Sequence, residues 1–456
     1  MQLVLELLLV LEEVRLMPDA LKVRTPLKGV TRVVIATAEC DPFSGSSALG
    51  RQVRAMADAL RDQGIEVGLI LPHYSKKHFP LNNDKLNWRE QNLPEIGGLS
   101  CRVTNARDER GCLICRVAVG DLFEREEIYG PPYEDNPRRF SLFGRAVMEI
   151  ARRLAPRPQI LHLMDWPLAF AAAWNREVES PLKCVMSLPN LQWQGVYPAS
   201  SFAGTGLNAS WFTPERGEFH GSMHLTKIGI AAADMVTLPG REYCGLCVEP
   251  KHGRGLEGFF RTHYLKLQTL WPFLPLGASP KRLGEDAKFP TLHLSMHDMS
   301  PRDQEIFAMA LPILDHLGFS MKIELGREPH EQVMAHLPKA AEVVGAPRWD
   351  VDAPRLWVRP ASGALDVLNT VDALRCGWPV MAAGTPPLPE ALAHLGADFQ
   401  HGAGVVYLPS VEGWIDALWR FREAWTPEKQ NAHTEAFRLR LMDAAAEYPR
   451  LYSALS

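Results

Sequence analysis

The chain has little net charge of either sign. Its 456 residues include 49 lysines and arginines and 53 aspartates and glutamates, which gives a formal charge of -4. This balance creates no field that would attract nucleic acid or an acidic membrane surface, and we expect neither as a partner. Internal repeats and low-complexity linkers are also lacking.

Signals of export and of membrane insertion are missing from the first residues. The opening apolar stretch carries Glu6, Glu12 and Glu13 and has neither a basic start nor a small-residue cleavage site. Its apolar run is too short and too interrupted to span a bilayer. We expect residues 1–30 to be an N-terminal extension, either a short amphipathic helix or a segment that the fold does not need, of a cytoplasmic protein.

The cysteines do not predict a metal site. The two Cys-x-x-Cys pairs, Cys112/Cys115 and Cys244/Cys247, could together supply four thiolates for zinc. The stretch GCLICRVAV, however, has the pattern of a strand, in which Cys112 and Cys115 point to opposite faces. We therefore expect buried thiols, no bound metal and no cofactor.

The most informative stretch that is present runs from Thr31 to Pro72. An apolar run, VVIA, is followed by a loop of small residues, a helical spacing of apolar residues and a second apolar run, VGLILP. This pattern predicts a β-loop-α-β unit. In such a unit the loop lies at the carboxyl edge of a parallel sheet, where backbone N–H groups favour an anionic ligand.

The same stretch resembles the opening of bacterial glycogen synthases and plant starch synthases, V-x-x-x-x-S-E-x-x-P-F-x-K-T-G-G-L-G-D-V. The residues in register are Glu39, Pro42, Phe43, Leu49 and Gly50. The family's donor-binding lysine falls on Gly45 and its threonine on Ser46, while its two glycines and its aspartate fall on Ser47, Ala48 and Arg51.

Two later segments continue the resemblance. PQILHLMDW is similar to the family's P-D-V-V-H-A-H-D-W and keeps Asp165 and Trp166. SLPNLQWQG is similar to T-x-H-N-L-A-Y-Q-G and keeps Asn190 and Gln194, but the family's active-site histidine falls on Pro189. Proline has neither a side-chain donor nor a backbone N–H, so it cannot replace that histidine.

The second half matches less closely. His297 falls on the family's arginine and Arg302 on its lysine, the two cations that hold the donor phosphates. Arg302 could still serve, whereas His297 would be mostly neutral at pH 7. The family's glutamate falls on Ala364, and its Thr-Gly-Gly-Leu becomes Thr-Pro-Pro-Leu at residues 385–388.

The resemblance implies an α/β protein with the GT-B fold, in which two doubly wound domains face each other across the active-site cleft. We expect a starch-synthase-like domain at residues 31–270, a glycosyltransferase-like domain at 271–430 and a C-terminal helix at 431–456 that returns to the first domain. The implied reaction is the transfer of glucose from ADP-glucose to an α-1,4-glucan. The candidate substrate-binding residues are Glu39, Ser46, Gly50, Asp165, Trp166, Asn190, Gln194 and Arg302.

Three functions remain open from the sequence. Because Gly45, Pro189, His297 and Ala364 replace groups that the chemistry requires, we expect a non-catalytic or strongly altered member of the family. The first alternative is an active ADP-glucose glucan glucosyltransferase. The second is a glucan-binding or scaffold protein, which could pair with an intact paralogue.

Overall fold

A computed structural model describes the greater part of the chain. The described residues are 30–44, 47–74, 86–125, 127–130, 133–189, 191, 193–239, 241–250, 253–269, 282–295, 301–324, 331–339, 341–344, 355–359, 373–374, 376–383, 403–406, 410–432, 434–435 and 447–455. Among them, no helix combines the length and the apolar character needed to cross a membrane.

Strands from the first half of the chain form one nine-stranded sheet. Its strands are β1 Arg32–Thr37, β2 Glu66–Pro72, β3 Arg89–Ile96, β4 Leu99–Arg107, β5 Leu113–Val119, β6 Ile160–Met164, β7 Lys183–Ser187, β11 Met235–Leu238 and β12 Leu267–Thr269. They lie in the order β12-β11-β7-β6-β1-β2-β5-β4-β3. The strands from β12 to β5 are parallel, whereas β4 pairs antiparallel with both β5 and β3.

Two further sheets are described. A small antiparallel sheet in the order β8-β10-β9 contains β8 Val196–Pro198, β9 Glu218–Phe219 and β10 Ser222–His224. A parallel sheet from the second half has the order β15-β14-β13-β16-β17-β18. Its strands are β13 Thr291–Ser295, β14 Met321–Glu324, β15 Glu342–Val344, β16 Arg355–Arg359, β17 Val380–Ala383 and β18 Ala403–Val406.

The helices connect and cover these sheets. Their bounds are α1 Ala48–Asp62, α2 Asn136–Arg153, α3 Ala169–Arg176, α4 Leu225–Ala232, α5 Arg241–Cys247, α6 Glu257–Thr262, α7 Pro301–His316, α8 Glu331–Ala335, α9 Val411–Ala424 and α10 Glu447–Ser453. The β-α-β unit predicted between residues 31 and 72 is confirmed as β1, α1 and β2. Its helical apolar residues Val53, Met56, Ala57 and Leu60 are all buried, as the helical spacing requires.

Two apolar cores cover opposite faces of the nine-stranded sheet, because its central strands are apolar on both sides. The larger core packs side chains of α2, α3 and α4 on one face. On the other face, the smaller core packs α1 together with Tyr448 and Tyr452 of α10. The last described helix of the chain therefore helps to cover the sheet that the first half of the chain builds.

The cysteine pairs contribute to these cores. Cys112 belongs to the smaller core and Cys115 to the larger one, so their thiols lie on opposite faces, as the strand pattern predicts. Cys244 and Cys247 both belong to the larger core. Burial raises the pKa of the Cys112 and Cys115 thiols to about 12. Both thiols are therefore protonated at neutral pH, which is the form that binds metals poorly.

Candidate functional site at the carboxyl edge of the first sheet

Three neighbouring parallel strands end at the same edge of the sheet. Glu39 follows β1, Asp165 follows β6 and Pro189 follows β7. Because β6 pairs with both β1 and β7 in parallel, the residues that follow these strands are close in space. The resemblance singled out Glu39, Asp165 and the position of Pro189, and the structure brings these three residues together at this edge.

Glu39 is a buried carboxylate with a tyrosine partner. Its side chain is 8% exposed, and the Tyr129 hydroxyl donates a hydrogen bond of 2.5 Å to Glu39 Oε1. Burial, together with the nearby Glu39 charge, raises the pKa of Tyr129 well above its usual range. Tyr129 therefore remains protonated at any ordinary pH and is a permanent donor to Glu39.

Asp165 adopts an unusual backbone conformation and has an unusual pKa. Its φ and ψ of 67° and 172° are rare for a residue with a side chain, and its Oδ1 accepts a hydrogen bond of 2.8 Å from the Trp166 N–H. Burial raises the pKa of Asp165 to about 7, the Trp166 N–H opposes that rise, and the Glu39 charge adds to it. Asp165 can therefore exchange a proton near neutral pH, as a general acid or base does.

Trp166 is held by aromatic neighbours. Its ring lies 5.6 Å from Tyr129, 5.7 Å from Phe140 and 6.4 Å from Tyr197, and only 7% of the residue is exposed. Gly195, at φ 64°, packs so closely that an added Cβ would lie 2.5 Å from Trp166 Cε3. The indole therefore supports the walls of the site and has little free surface to offer to a ligand.

The side-chain amide of Gln194 has a hydrogen-bond partner on its oxygen but none on its nitrogen among the described residues. Its Oε1 accepts a hydrogen bond of 2.8 Å from His224 Nε2, and burial keeps His224 neutral by lowering its pKa to about 4. Its Nε2 is buried and has no acceptor among the described residues. An orphaned buried donor is costly, so this nitrogen is suited to a ligand oxygen.

Gly50 and Pro189 are both packed into the fold at this edge. The Gly50 N–H donates to Ser47 Oγ at 2.9 Å and caps the start of α1, so it is not available to an anion. An added Cβ at Gly50 would lie 3.1 Å from the Asp41 nitrogen, which explains the glycine by close packing. Pro189, at the position of the family's histidine, is buried at the carboxyl edge.

Some candidate residues cannot be placed. Gly45, Ser46, Asn190, His297 and Ala364 lie outside the described residues. Arg302 belongs to α7, but its side chain is not among those described. Their roles remain predictions from the resemblance.

A supporting network that the sequence did not reveal lies behind Tyr129. Asn136 Nδ2 donates to the Tyr129 carbonyl at 3.2 Å and to the Tyr197 hydroxyl at 3.1 Å, and Arg139 Nε donates to Asn136 Oδ1 at 2.6 Å. Arg139 is fully buried and also donates to the Ile128 carbonyl. The sequence signal that could have indicated this helix is the pair Asp135-Asn136, because aspartate and asparagine are typical of a helix start.

A second network lies beneath the edge, on the side of the smaller core. His162 Nδ1 lies 2.6 Å from the Tyr452 hydroxyl, and His162 Nε2 lies 2.7 Å from Ser187 Oγ. Ser187 Oγ is in turn 2.6 Å from Thr237 Oγ1. Burial lowers the pKa of His162 to about 3, so the ring is neutral and exchanges hydrogen bonds with hydroxyls alone. Helix α10 is thereby joined to the strands that carry the site.

Known proteins resemble this chain in sequence and in fold. Residues 32–262 match the family described as "Starch synthase catalytic domain". "Glycogen synthase 2" of Geobacter metallireducens is 31% identical over 245 residues, which cover 50% of this chain and 49% of that protein. "Glycogen synthase" of Roseobacter denitrificans is 30% identical over 238 residues, again covering 50% and 49%. The chain thus spans about half the length of the curated relatives it matches.

Solved structures share the fold across nearly the whole chain. The catalytic domain of Starch Synthase IV from Arabidopsis thaliana, bound to ADP and acarbose, superposes with a TM-score of 0.73 at 18% identity. It covers 94% of this chain and 99% of its own. The alpha,alpha-trehalose 6-phosphate synthase from Burkholderia multivorans gives a TM-score of 0.51 at 10% identity and covers 93% and 98%. The GT-B fold class predicted from the sequence is confirmed by these overlaps.

Proposed function

The chain belongs to the glycogen and starch synthase family of GT-B glycosyltransferases, and from this premise we propose that it binds α-glucan without elongating it at a rate typical of that family. The observation that carries the proposal is Pro189. It is buried at the carboxyl edge, where the family's active-site histidine belongs, beside the retained Glu39 and Asp165. A proline there supplies no donor to a sugar hydroxyl or to a developing charge.

The replaced residues in other segments support the same proposal. Gly45, His297 and Ala364 take the places of a lysine, an arginine and a glutamate. Removing one group that stabilises a transition state typically costs about 100 to 1,000-fold in rate. Several such losses, in segments far apart in the sequence, affect both the binding of a diphosphate donor and the chemical step.

The retained polar residues support a glucan-binding site. Glu39 and Asp165 offer acceptors at the edge, and Gln194 Nε2 offers an unused donor. Sugar hydroxyls both donate and accept, so they match this mixture better than a nucleotide diphosphate would. We further propose the domain limits given by the resemblance, 31–270, 271–430 and 431–456.

An active ADP-glucose glucosyltransferase is the second candidate. The observation in its favour is Asp165, because its pKa of about 7 and its proximity to the Glu39 charge are typical of catalytic carboxyl pairs. The third candidate function is that of a scaffold protein, which binds no glucan and pairs with an intact paralogue. It would need neither carboxyl group in a particular protonation state.

A radiolabelled transfer assay with ADP-glucose and glycogen separates the first two candidates. We expect turnover below ~0.01 per second, since common enzymes work near ~10 per second and more than one stabilising group is missing. Turnover of ~1 per second or more that disappears in Asp165→Asn would establish the active enzyme and contradict our proposal. The variant is the control that distinguishes activity of this site from that of a contaminant.

Calorimetric titration with maltooligosaccharide, ADP-glucose and ADP, each alone, separates binding from scaffolding. Our proposal expects saturable heat with maltooligosaccharide and weaker or no heat with the two nucleotides. The Gln194→Leu variant should lose the oligosaccharide signal, because it removes the free donor. An absence of heat with maltooligosaccharide would favour the scaffold.

A further inference from the structure

A second groove opens at the opposite edge of the nine-stranded sheet. It has a volume of about 750 Å³, and its lining includes Arg176, Glu177, Trp211, Arg216 and Lys266. Arg176 ends α3, which follows β6, and Lys266 immediately precedes β12. Since connecting helices run back from the carboxyl edge to the amino edge, this groove is separate from the site of Glu39 and Asp165. Its size is in the range of small-molecule sites.

The lining of the groove has an excess of positive charge. Three cationic side chains, Arg176, Arg216 and Lys266, face it, against the single carboxylate of Glu177. Glu177 Oε1 is already engaged, because it accepts a hydrogen bond of 2.9 Å from Trp211 Nε1. A second carboxylate, that of Asp234, pairs with Arg176 at 2.7 Å. The groove therefore favours an anion.

Donors remain available on Lys266 and Arg216. Lys266 Nζ donates to the carbonyls of Ile230 and Ala231 at 3.4 and 2.9 Å, which leaves one of its three hydrogens. Arg216 uses Nη1 on Ser210, and its Nε and Nη2 have no acceptor among the described residues. These fixed carbonyl and hydroxyl contacts hold the cations in place before any ligand arrives.

The cations also repel one another. Burial lowers the pKa of Lys266, and the neighbouring Arg176 charge lowers it further. A bound anion would relieve this repulsion and would favour the charged form of the lysine, as the Asp234 carboxylate already does in part. Clustered arginine and lysine side chains are typical of phosphate sites.

The aromatic residue in the groove does not suit a sugar ring. Trp211 is only 5% exposed, and the guanidinium of Arg216 lies 4.7 Å above its ring. A stacking face for carbohydrate is therefore already covered. We propose that this groove is a second binding site, for a small molecule that carries a phosphate monoester, which Arg176, Arg216 and Lys266 contact.

Calorimetric titration of the full chain at low ionic strength tests this site with three probes. The probes are inorganic phosphate, a hexose monophosphate and the same hexose without phosphate. We expect saturable binding of the two phosphates and none of the free hexose. Tighter binding of the hexose monophosphate supports a phosphate monoester as the ligand, whereas equal or tighter binding of inorganic phosphate would show that the groove recognises only the free anion and would contradict the proposal. Binding of the free hexose as tight as that of its phosphate would overturn the proposal.

Matched variants locate the binding. Arg216→Gln removes an exposed cation that, among the described residues, contacts Ser210 and Trp211, so the fold should tolerate the change. Arg152→Gln removes an exposed cation at the end of α2 and serves as the control for net charge. We expect about a tenfold or greater weakening of phosphate binding in Arg216→Gln and an unchanged affinity in Arg152→Gln. Equal effects in both variants, or no saturable heat with either phosphate, would show that there is no such site.

Discussion

Replacing Asp165 by asparagine should remove a specific pH dependence of stability. Asparagine has the shape of a protonated aspartate, its amide oxygen can accept the Trp166 N–H, and it tolerates the positive φ of 67° better than most residues. The substitution therefore preserves the local structure and removes only the ionisation. Its effect measures how much the site opposes a charge on Asp165.

The magnitude follows from the pKa of about 7 in the folded protein against 3.8 for the ordinary group. In the folded state the proton is held more tightly, so between these two values the unfolded chain loses its proton while the native site keeps it. The contribution of Asp165 to stability is thus greatest at acidic pH and is lost as the pH rises from about 4 to about 7. About three pH units at ~1.4 kcal/mol each set a ceiling of ~4 kcal/mol, which the partial solvent contact of the side chain reduces.

Urea denaturation followed by tryptophan fluorescence, at intervals between pH 5 and pH 8, provides the measurement. The neutral buried histidines His162 and His224, with pKa values of about 3 and about 4, act in the opposite direction, because they lose stability as the pH falls below 6.5. Both proteins contain them, so the difference between Asp165→Asn and the wild type isolates Asp165. We expect the free energy of unfolding of the variant to increase relative to that of the wild type as the pH rises. Parallel curves across this window would refute the reasoning.

Three further predictions concern the frame of the site. Tyr452→Phe should destabilise the protein by about 1 to 3 kcal/mol in urea denaturation, because it leaves one ring nitrogen of His162 buried without its hydroxyl partner. Gly195→Ala should cost about 2 to 4 kcal/mol, since it adds a clash with Trp166 to the strain of positive φ, while Gly221→Ala, with open space around it, should cost only about 1 kcal/mol. Equal costs for the two glycines would argue against the close packing. Elemental analysis of purified protein should find no stoichiometric zinc, and one equivalent lost on mutation of a Cys-x-x-Cys pair would contradict the assignment of these thiols to the core.

The sequence predicted the first half of the fold well because its strands are buried on both faces. Continuous apolar runs such as VVIA and VGLILP predict buried strands from the local sequence alone, and the helical spacing of α1 lies between them. The position of Glu39 and Asp165 at one sheet edge followed from the topology of parallel strands. The burial of Glu39 and the pKa of Asp165 could not be predicted from the sequence, because both depend on residues that pack over the edge.

Tyr129 shows why the rest could not be predicted. It lies 90 residues from Glu39 in sequence, and nothing in its local pattern indicates a hydrogen bond to a carboxylate. Gly50 shows the converse error. Its match to the family motif made it a candidate substrate-binding residue, whereas in the structure its N–H donates to Ser47 Oγ at the start of α1. A residue that matches a binding motif can bind a ligand through its polar atoms only if those atoms are not already hydrogen-bonded within the protein.

Helix α10 completes the smaller core of the first half of the chain. The family match ends at residue 262, yet the core beneath that part of the chain is completed by Tyr448 and Tyr452. Without them, His162 and Ser187 would lose their partners and an apolar face of the central strands would be exposed. Helix α10 therefore stabilises the strands that carry Asp165 and Pro189 at the carboxyl edge. Loss of transfer activity would leave this structural requirement for α10 intact.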